Sequence, residues 1–306
     1  MSRSGCFKQW VSARPNHDNG RWLTGLIIQN NIAGINSARN KGISEGRMRK
    51  SLEKLSSGYR INRAGDDAAG LTISELMRSQ ITGINQALRN VNDGISLTQT
   101  GDGALAEVHS MLGRMKTLAV QSANGTYTTA ARANLDFERQ QLIDEINRIG
   151  ETSNFDGISL FGTEEVPEGE PIPWQVGDIQ LQVGCSEEEI LKVKTYSVSD
   201  KGLRLDQIDL TSISSANDSI PYIDEAIEAV ADIRANFGAN QNHLEHTHNN
   251  LTVTNENMMT AESRIRDTDM ADEFTLYTKD NITFQSATQM AARANSLPEL
   301  VMNLLR

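Results

Sequence analysis

The stretch that decides the fold is IDEAIEAVADIRANFGANQNHLEHTHNNLTVTNENMMTAESRI, residues 223–265. An apolar residue recurs at every seventh position, which is typical of a helix that packs lengthwise against other helices. These positions are Ile223, Val230, Phe237, Leu244, Leu251, Met258 and Ile265. The complementary position, three residues further on, mixes apolar and polar side chains, which favours packing against several helices over a two-stranded zipper. The helix would span roughly 63 Å and cannot bury its stripe alone, so earlier helices of the chain must cover it.

Two further helices are predicted upstream of this stretch. Between about Asp66 and Asn124, apolar residues from Met77 to Ile95 step by four and three, and the step resumes from Leu105 to Met115. This is the stripe of a long amphipathic helix. A shorter stripe from Leu135 to Ile149 follows the turn-prone SANGTYT, and it predicts a helix that runs back along the first.

A small β-region is predicted between the two halves. Residues 179–183 alternate apolar and polar side chains, and EEILKVKTYSV offers a second strand after an acidic turn, so we expect a hairpin at about 172–198. Residues 163–232 contain 16 acidic and 4 basic residues, net −12, which indicates a solvent-facing segment. The predicted fold is therefore mainly α: a long antiparallel helical coiled-coil or bundle rod, paired N- and C-terminal helices and a small β-hairpin region.

Composition excludes several classes of protein. The 306 residues include only two cysteines, far apart in sequence, so neither a disulfide framework nor a paired-cysteine zinc site is expected. No apolar run approaches the ~18–20 residues that cross a bilayer, and the N-terminus lacks the apolar core of a cleaved signal peptide.

Charge is distributed unevenly along the chain. Residues 1–65 carry 12 Lys+Arg and 3 Asp+Glu, net +9, whereas the remaining residues carry 17 and 37, net −20. A basic arm would suit nucleic acid or an acidic membrane. Apolar residues at helical spacing and scarce aromatics favour the polar face of an amphipathic helix instead, so no nucleic-acid partner and no membrane insertion are expected.

Candidate chemistry is sparse. His243, His246 and His248 lie beside Glu245, but their spacing differs from HExxH, and a solvated helix flank is favoured over a metal site. Asp66 and Asp67 precede an apolar-periodic run, so they are expected to cap a helix rather than perform acid–base catalysis. No nucleophile or phosphate-binding motif appears, and neither an enzyme nor a cofactor is expected.

The two chain ends predict self-association. Apolar helical faces lie between Leu26 and Leu55 and between Ile282 and Leu305. Two such helices can bury each other and still leave apolar surface for neighbouring molecules. Head-to-tail contacts of that kind generate rings or open filaments.

Several motifs resemble bacterial flagellin. EKLSSGYRINRAGDDAAGLTISELMRSQI, ALRNVNDGISLTQTGDGALAEVHSMLGRMKTLAVQSANGT and FDGISLFG resemble its N-terminal core, and LQVG resembles its short hairpin. NHLEHTHNNLTVTNENMMTAESRIRDTDMADEF and the Leu-rich end resemble its C-terminal core. The match covers most of residues 26–306. The resemblance implies a structural subunit that polymerises into the motility filament, outside the cell, after flagellar type III export without a cleaved signal.

The resemblance also implies a domain arrangement. Residues 25–66 and 267–306 would pair as the inner core, with 67–165 and 216–266 as rod helices around it. Residues 166–215 would be a short variable outer region. Residues 1–24 have no counterpart in the family pattern and are expected to be a disordered extension, so a chain beginning near Leu26 should assemble at least as well.

Partners and site residues follow from the same resemblance. The implied partners are other flagellin subunits, the filament cap, hook-filament junction proteins, an export chaperone at the C-terminal helix and host Toll-like receptor 5. GRMKTLAVQ at 113–121 resembles the receptor motif, which assigns Arg114, Met115, Leu118 and Gln121 to that site, with Glu138 on the following helix. The family uses the same surface to contact a neighbouring subunit, so packing alone is the other role open to these residues. The terminal polymerisation helix would present Leu297, Leu300, Val301, Leu304 and Leu305; cytosolic inflammasome receptors sense an apolar end of this kind.

Two alternatives remain at this stage. A hook-filament junction protein shares the terminal helices but usually lacks AGDDAAGL and SRIRDTDMA in this form. A flagellin with an enzymatic outer domain is the other, and the short, motif-free 166–215 segment counts against it.

Overall fold

The computed structural model describes residues 31–162 and 175–304, with side chains up to Ser296. Its helices are α1 (Ile32–Ser57), α2 (Ala68–Ser122), α3 (Thr129–Thr152), α4 (Ile213–Arg266) and α5 (Met270–Leu304). Its strands are β1 (Asn154–Phe155), β2 (Ile158–Ser159), β3 (Phe161–Gly162), β4 (Gln175–Gln182) and β5 (Ile190–Ser197), and a 3₁₀ helix covers Leu205–Gln207. The predicted mainly α class with a small β-region is confirmed.

The chain divides into two compact units. The terminal unit contains the residues up to Tyr59 and from Thr268, and therefore α1 and α5. The central unit, Arg60–Asp267, contains α2, α3, α4 and the strands. The predicted extension at residues 1–24 lies outside the described residues, as does part of the predicted outer region.

Helix α2 begins where the sequence predicted, and the capping role is confirmed for Asp67. The Asp67 carboxylate accepts a hydrogen bond from the backbone N–H of Gly70 at 2.9 Å, which satisfies one of the free donors of the first turn. Asp66 has another role: its carboxylate accepts the backbone N–H groups of Asn62 and Arg63 and so holds the preceding loop.

Helices α2 and α4 pack antiparallel over most of their length. Lys116 pairs with Asp224 at 2.5 Å near one end, and Asn255 donates to Asn85 at 2.9 Å near the other. Each helix has more than fifty residues and spans about 80 Å at 1.5 Å per residue. The register between them is therefore fixed by polar pairs as well as by apolar packing.

The heptad seam of α4 is buried unevenly. Ile223, Val230, Phe237 and Leu244 are buried, whereas Leu251, Met258 and Ile265 are only half-buried. At the buried end, Gly101 of α2 admits the Phe237 ring, because a side chain at position 101 would come within 3.3 Å of it. α3 also packs against α2, and Ile143 and Ile146 of α3 belong to the same core.

The β-region is larger than the predicted hairpin. β4 and β5 pair antiparallel as expected, but β3 adds to the other edge of β5 in parallel, giving the order β3-β5-β4. β1 and β2 form a separate hairpin whose turn places Asp156 and Gly157 at positive φ, a conformation that Asp-Gly pairs favour. The Asn90 side chain donates to the Gln182 carbonyl at 3.0 Å, which fastens β4 to α2.

Candidate self-assembly surface

Helices α1 and α5 form an antiparallel pair joined by polar contacts. The Asn31 amide donates to the Ala294 carbonyl at 2.7 Å at one end of the pair. At the other end the Lys54 ammonium lies 3.3 Å from the Glu273 carboxylate, and both side chains are largely covered. A partly buried ion pair holds alignment well, because losing one partner would leave the other charge uncompensated.

The seam between these two helices combines small, polar and large apolar side chains. Gly34 and Ser51 are buried on α1, and Ala294 and Glu273 are buried on α5. Half-buried residues at the same helical period complete the seam: Ser37, Lys41, Ser44, Met48 and Leu55 on α1, and Tyr277, Phe284, Ala287 and Ala291 on α5. The Lys41 ammonium lies 5.8 Å from the centre of the Phe284 ring, which places Phe284 against α1. The large apolar members of the seam are covered only in part, so the pair removes some but not all of their surface from water.

Most of the large apolar side chains described on both helices are exposed. Nine of them are between 47% and 64% exposed. They are Ile32, Ile35, Ile43 and Leu52 on α1, and Met270, Phe274, Leu276, Ile282 and Met290 on α5. The sequence predicted that the terminal helices bury each other while leaving apolar surface, and the structure has both a partly apolar seam and an exposed apolar set. Exposed apolar side chains in this number make α1 and α5 the candidate self-assembly surface.

The residues assigned to a receptor site form a compact group in the central unit. The Arg114 guanidinium of α2 lies 2.8 Å from the Glu138 carboxylate of α3, and both side chains are about half exposed. Gln121 is half-buried and its amide donates to the Tyr127 hydroxyl at 2.8 Å. Arg114, Glu138 and Gln121 therefore present polar atoms at the surface.

Met115 and Leu118 of the same helical stretch are not at the surface. Both are fully buried and belong to the core formed with α3 and α4. A partner could touch them only if this part of the core opened. Their role in the present geometry is to hold α2 so that Arg114 faces Glu138.

Electrostatics in the central unit come from pairs between helices. The Arg234 guanidinium donates to the Asp102 carboxylate at 2.8 Å, and this hydrogen bond raises the pKa of Arg234 above its ordinary value. At the start of α4, backbone and hydroxyl donation from Thr211 lowers the pKa of the Asp209 carboxyl. Both shifts arise from contacts that hold helices or turns together.

The remaining predicted sites are the C-terminal polymerisation residues and the histidine run of α4. The five residues of the predicted polymerisation end lie at the end of α5, where their side chains are not among those described. The solvated helix flank expected for the histidine run is seen on α4, where His243 and His246 are exposed and His248 is half-buried.

Among residues 31–162 and 175–304, no cluster of three or more His, Cys, Asp or Glu side chains could hold a metal ion. Within the same ranges, no helix combines the length and the apolar character of a membrane span.

Two features of the central unit were missed from the sequence. Arg132 of α3 is only 8% exposed, and its guanidinium donates to the carbonyls of Ser122 and Asn124 at 2.9 and 3.1 Å. Phe137, one turn further along α3, is 68% exposed. Arginine is usually exposed and phenylalanine usually buried, so these two residues reverse the ordinary preference. The helical period places Phe137 away from the apolar stripe that contains Leu135 and Leu142.

Comparison with known proteins gives consistent matches along the chain. The family model for the bacterial flagellin N-terminal helical region matches residues 28–165, and the model for the C-terminal helical region matches residues 220–305. A flagellin of Halalkalibacterium halodurans is 46% identical over 92% of this chain and all of its own length. A flagellin of Bacillus subtilis is 40% identical with the same coverage.

A solved structure described as a putative flagellar hook-associated protein from Vibrio parahaemolyticus aligns with a TM-score of 0.56. It is 14% identical and covers 66% of this chain and all of its own. At that identity the likeness shows the fold alone.

Proposed function

Since this chain belongs to the bacterial flagellin family, whose members polymerise as structural subunits of the flagellar filament, we propose that the exposed apolar faces of α1 and α5 are the surface that joins copies. One observation carries the proposal. The paired helices cover some large apolar side chains in part and leave nine others about half exposed or more. Association with further copies removes those nine side chains from water and adds stabilisation that the pair does not have alone.

Purified protein tests this proposal by seeded polymerisation. Heat-dissociated chain is mixed with short filament fragments, and growth is followed by sedimentation and electron microscopy. Long helical filaments are the expected result. A chain that binds to fragment ends and then stops their growth would instead act as a hook-filament junction protein, and persistent monomers in the presence of seeds would contradict both functions.

Recognition by Toll-like receptor 5 is a second proposal, and it rests on the Arg114 and Glu138 pair. Their side chains are exposed, oppositely charged and 2.8 Å apart, so a receptor could address both at once. Gln121 adds an amide on the same helix. Met115 and Leu118 would contribute by holding this surface from beneath, because both are fully buried.

A receptor reporter cell line tests this second proposal with matched variants. Arg114→Ala and Glu138→Ala are expected to lower potency while leaving thermal stability almost unchanged, because exposed ion pairs contribute only about 0–1 kcal/mol. Leu118→Ala is expected to lower stability as well, since it removes a core side chain. An active wild-type chain whose potency neither exposed substitution lowers would refute the receptor role and leave subunit packing as the role of the pair.

The remaining partners and the export route are proposed from family membership. We propose that the chain leaves through the flagellar type III apparatus without a cleaved signal, and that an export chaperone holds its C-terminal helix until then. Leu297, Leu300, Val301, Leu304 and Leu305 would form the chaperone contact and later the polymerisation contact. Co-purification of the chaperone with the full chain, and its loss after Leu300→Asp with Leu304→Asp, tests the first contact. The filament cap and junction proteins would meet the same end of the subunit.

A further inference from the structure

We propose that Asn124–Gly125, in the connection between α2 and α3, is a self-modification site at which the asparagine amide is lost through a cyclic imide and isoaspartate forms. It is the one Asn-Gly pair within residues 31–162 and 175–304. Both residues are exposed, and no atom lies within 4 Å of the place where a side chain on Gly125 would be. Gly125 therefore brings no side chain of its own, and no residue other than its two chain neighbours crowds the space beside its Cα.

The contacts around Asn124 polarise the groups that would react. The backbone N–H of Thr126 donates to the Asn124 side-chain oxygen at 3.3 Å. When the Gly125 nitrogen attacks the side-chain carbon, negative charge develops on that oxygen, and an N–H donor stabilises such a charge. This contact favours ring closure.

Arg132 polarises the peptide group that supplies the nucleophile. Its guanidinium donates to the Asn124 main-chain carbonyl at 3.1 Å, and the backbone N–H of Tyr127 donates to the same oxygen at 3.4 Å. A cation bonded to a peptide carbonyl withdraws electrons from that peptide group and makes its N–H, here that of Gly125, more acidic. Arg132 is 8% exposed, so water screens this effect only weakly.

The reaction balances without any added cofactor. A hydroxide or buffer base removes the Gly125 amide proton, and the nitrogen bonds to the Asn124 side-chain carbon. The conjugate acid of that base returns a proton to the side-chain nitrogen, the bond between this nitrogen and the side-chain carbon breaks, and ammonia leaves to give a five-membered imide. Water then adds to one of the two imide carbonyls and opens the ring. Addition at the side-chain carbonyl gives aspartate, and addition at the main-chain carbonyl gives isoaspartate. The sum is one asparagine plus water giving one acidic residue plus ammonia.

The same arginine directs the second step. Of the two imide carbonyls, the former main-chain one is the group that Arg132 holds, so water adds there preferentially and isoaspartate predominates. Isoaspartate routes the backbone through the side-chain methylene and adds one negative charge to a chain of net charge −11. It also displaces the carbonyl that ties the connection to α3, so the connection loosens after conversion.

Native full-length chain is incubated at mildly alkaline pH, digested and analysed by mass spectrometry, with isoaspartate detected by enzymatic methylation. Parallel samples are held in urea, and Gly125→Ala is the matched variant, since its side chain fits the open space around Gly125. We expect conversion at Asn124 in the native chain, a higher isoaspartate share than in urea, and loss of the signal in Gly125→Ala. Asn134, inside α3 and followed by leucine, should stay unconverted.

The outcomes separate the parts of the proposal. An Asn124 that converts in urea but stays intact in the native chain would overturn the site. Native conversion with the product ratio found in urea would overturn the directing role of Arg132. Circular dichroism checks that the Gly125→Ala chain is folded, so that loss of isoaspartate in this variant reflects the substitution and not unfolding.

Discussion

Replacing Ile35 by alanine should raise the concentration at which filaments begin to form, without unfolding the free chain. Ile35 lies on the outer face of α1 and is 64% exposed. The substitution removes three carbon atoms, each worth about 0.8 kcal/mol when buried, and scaling their sum by the 64% that association can newly cover gives about 1.5 kcal/mol. Each 1.4 kcal/mol is about a factor of ten in an association constant, so the critical concentration should rise roughly tenfold.

The assay measures soluble protein left after seeded polymerisation reaches equilibrium. Asn36→Ala is the matched control. Asn36 is the next residue of the same helix and is also exposed, and replacing it removes no apolar side chain. Circular dichroism of the unpolymerised chains checks that helix content is equal. An Ile35→Ala chain that keeps the wild-type helix content and a critical concentration within twofold of wild type would refute the assignment of this face to subunit contacts.

Three further predictions concern stability. Phe237→Ala should cost about 3–5 kcal/mol in urea unfolding, because it empties a core position, whereas Phe137→Ala, at a 68% exposed site, should change the unfolding free energy by less than about 0.5 kcal/mol; equal losses would contradict the packing. Asp67→Ala should lose about 1 kcal/mol through the missing helix cap, and Asp67→Asn, which keeps an acceptor, should restore most of it in thermal unfolding. Asp209→Asn should destabilise the chain at neutral pH but not in acid: the folded pKa lies below the ordinary value, so the carboxylate stabilises the fold above its unfolded pKa and loses that effect as pH falls through its folded pKa. A destabilisation by Asp209→Asn that persists unchanged into strong acid would contradict that reading.

The heptad ladder of α4 shows how far a periodic pattern predicts burial. Seven-residue spacing predicted one long helix with one inward face, and α4 runs unbroken through all seven seam positions. Burial then depends on how many elements lie opposite each position. Leu244 is covered from a second side by Leu181 of β4, since both side chains reach Gly94. Beyond that point, Leu251 and the later seam residues lose this cover and are half-exposed. Spacing along one helix carries no information about where a hairpin distant in sequence ends.

The pairing of Arg114 with Glu138 was predictable in part. A turn-prone segment between two apolar stripes predicted that α3 runs back along α2, which brings residues 24 positions apart to the same level. Whether their side chains meet depends on the rotation of each helix about its own axis, which the core residues set. β3 was missed for a different reason: two residues are too few to show a period, and its partner strand β5 begins 28 residues later.

The terminal helices show that an apolar stripe in the sequence does not by itself predict which face of a helix is buried. Apolar residues at helical spacing predict an amphipathic helix, and the ordinary expectation is that the apolar face turns towards the nearest partner helix. In α1 the nearest partner instead receives Gly34 and Ser51 and only part of Met48 and Leu55, while Ile32, Ile35 and Ile43 share the opposite face and stay exposed. The lysine and glutamate pair at one end sets the alignment of α5. Much of the hydrophobic free energy of the unit is thereby left for contacts that form only when other copies are present. A polymer needs this division, because a subunit that satisfied its apolar faces alone would have no driving force to assemble.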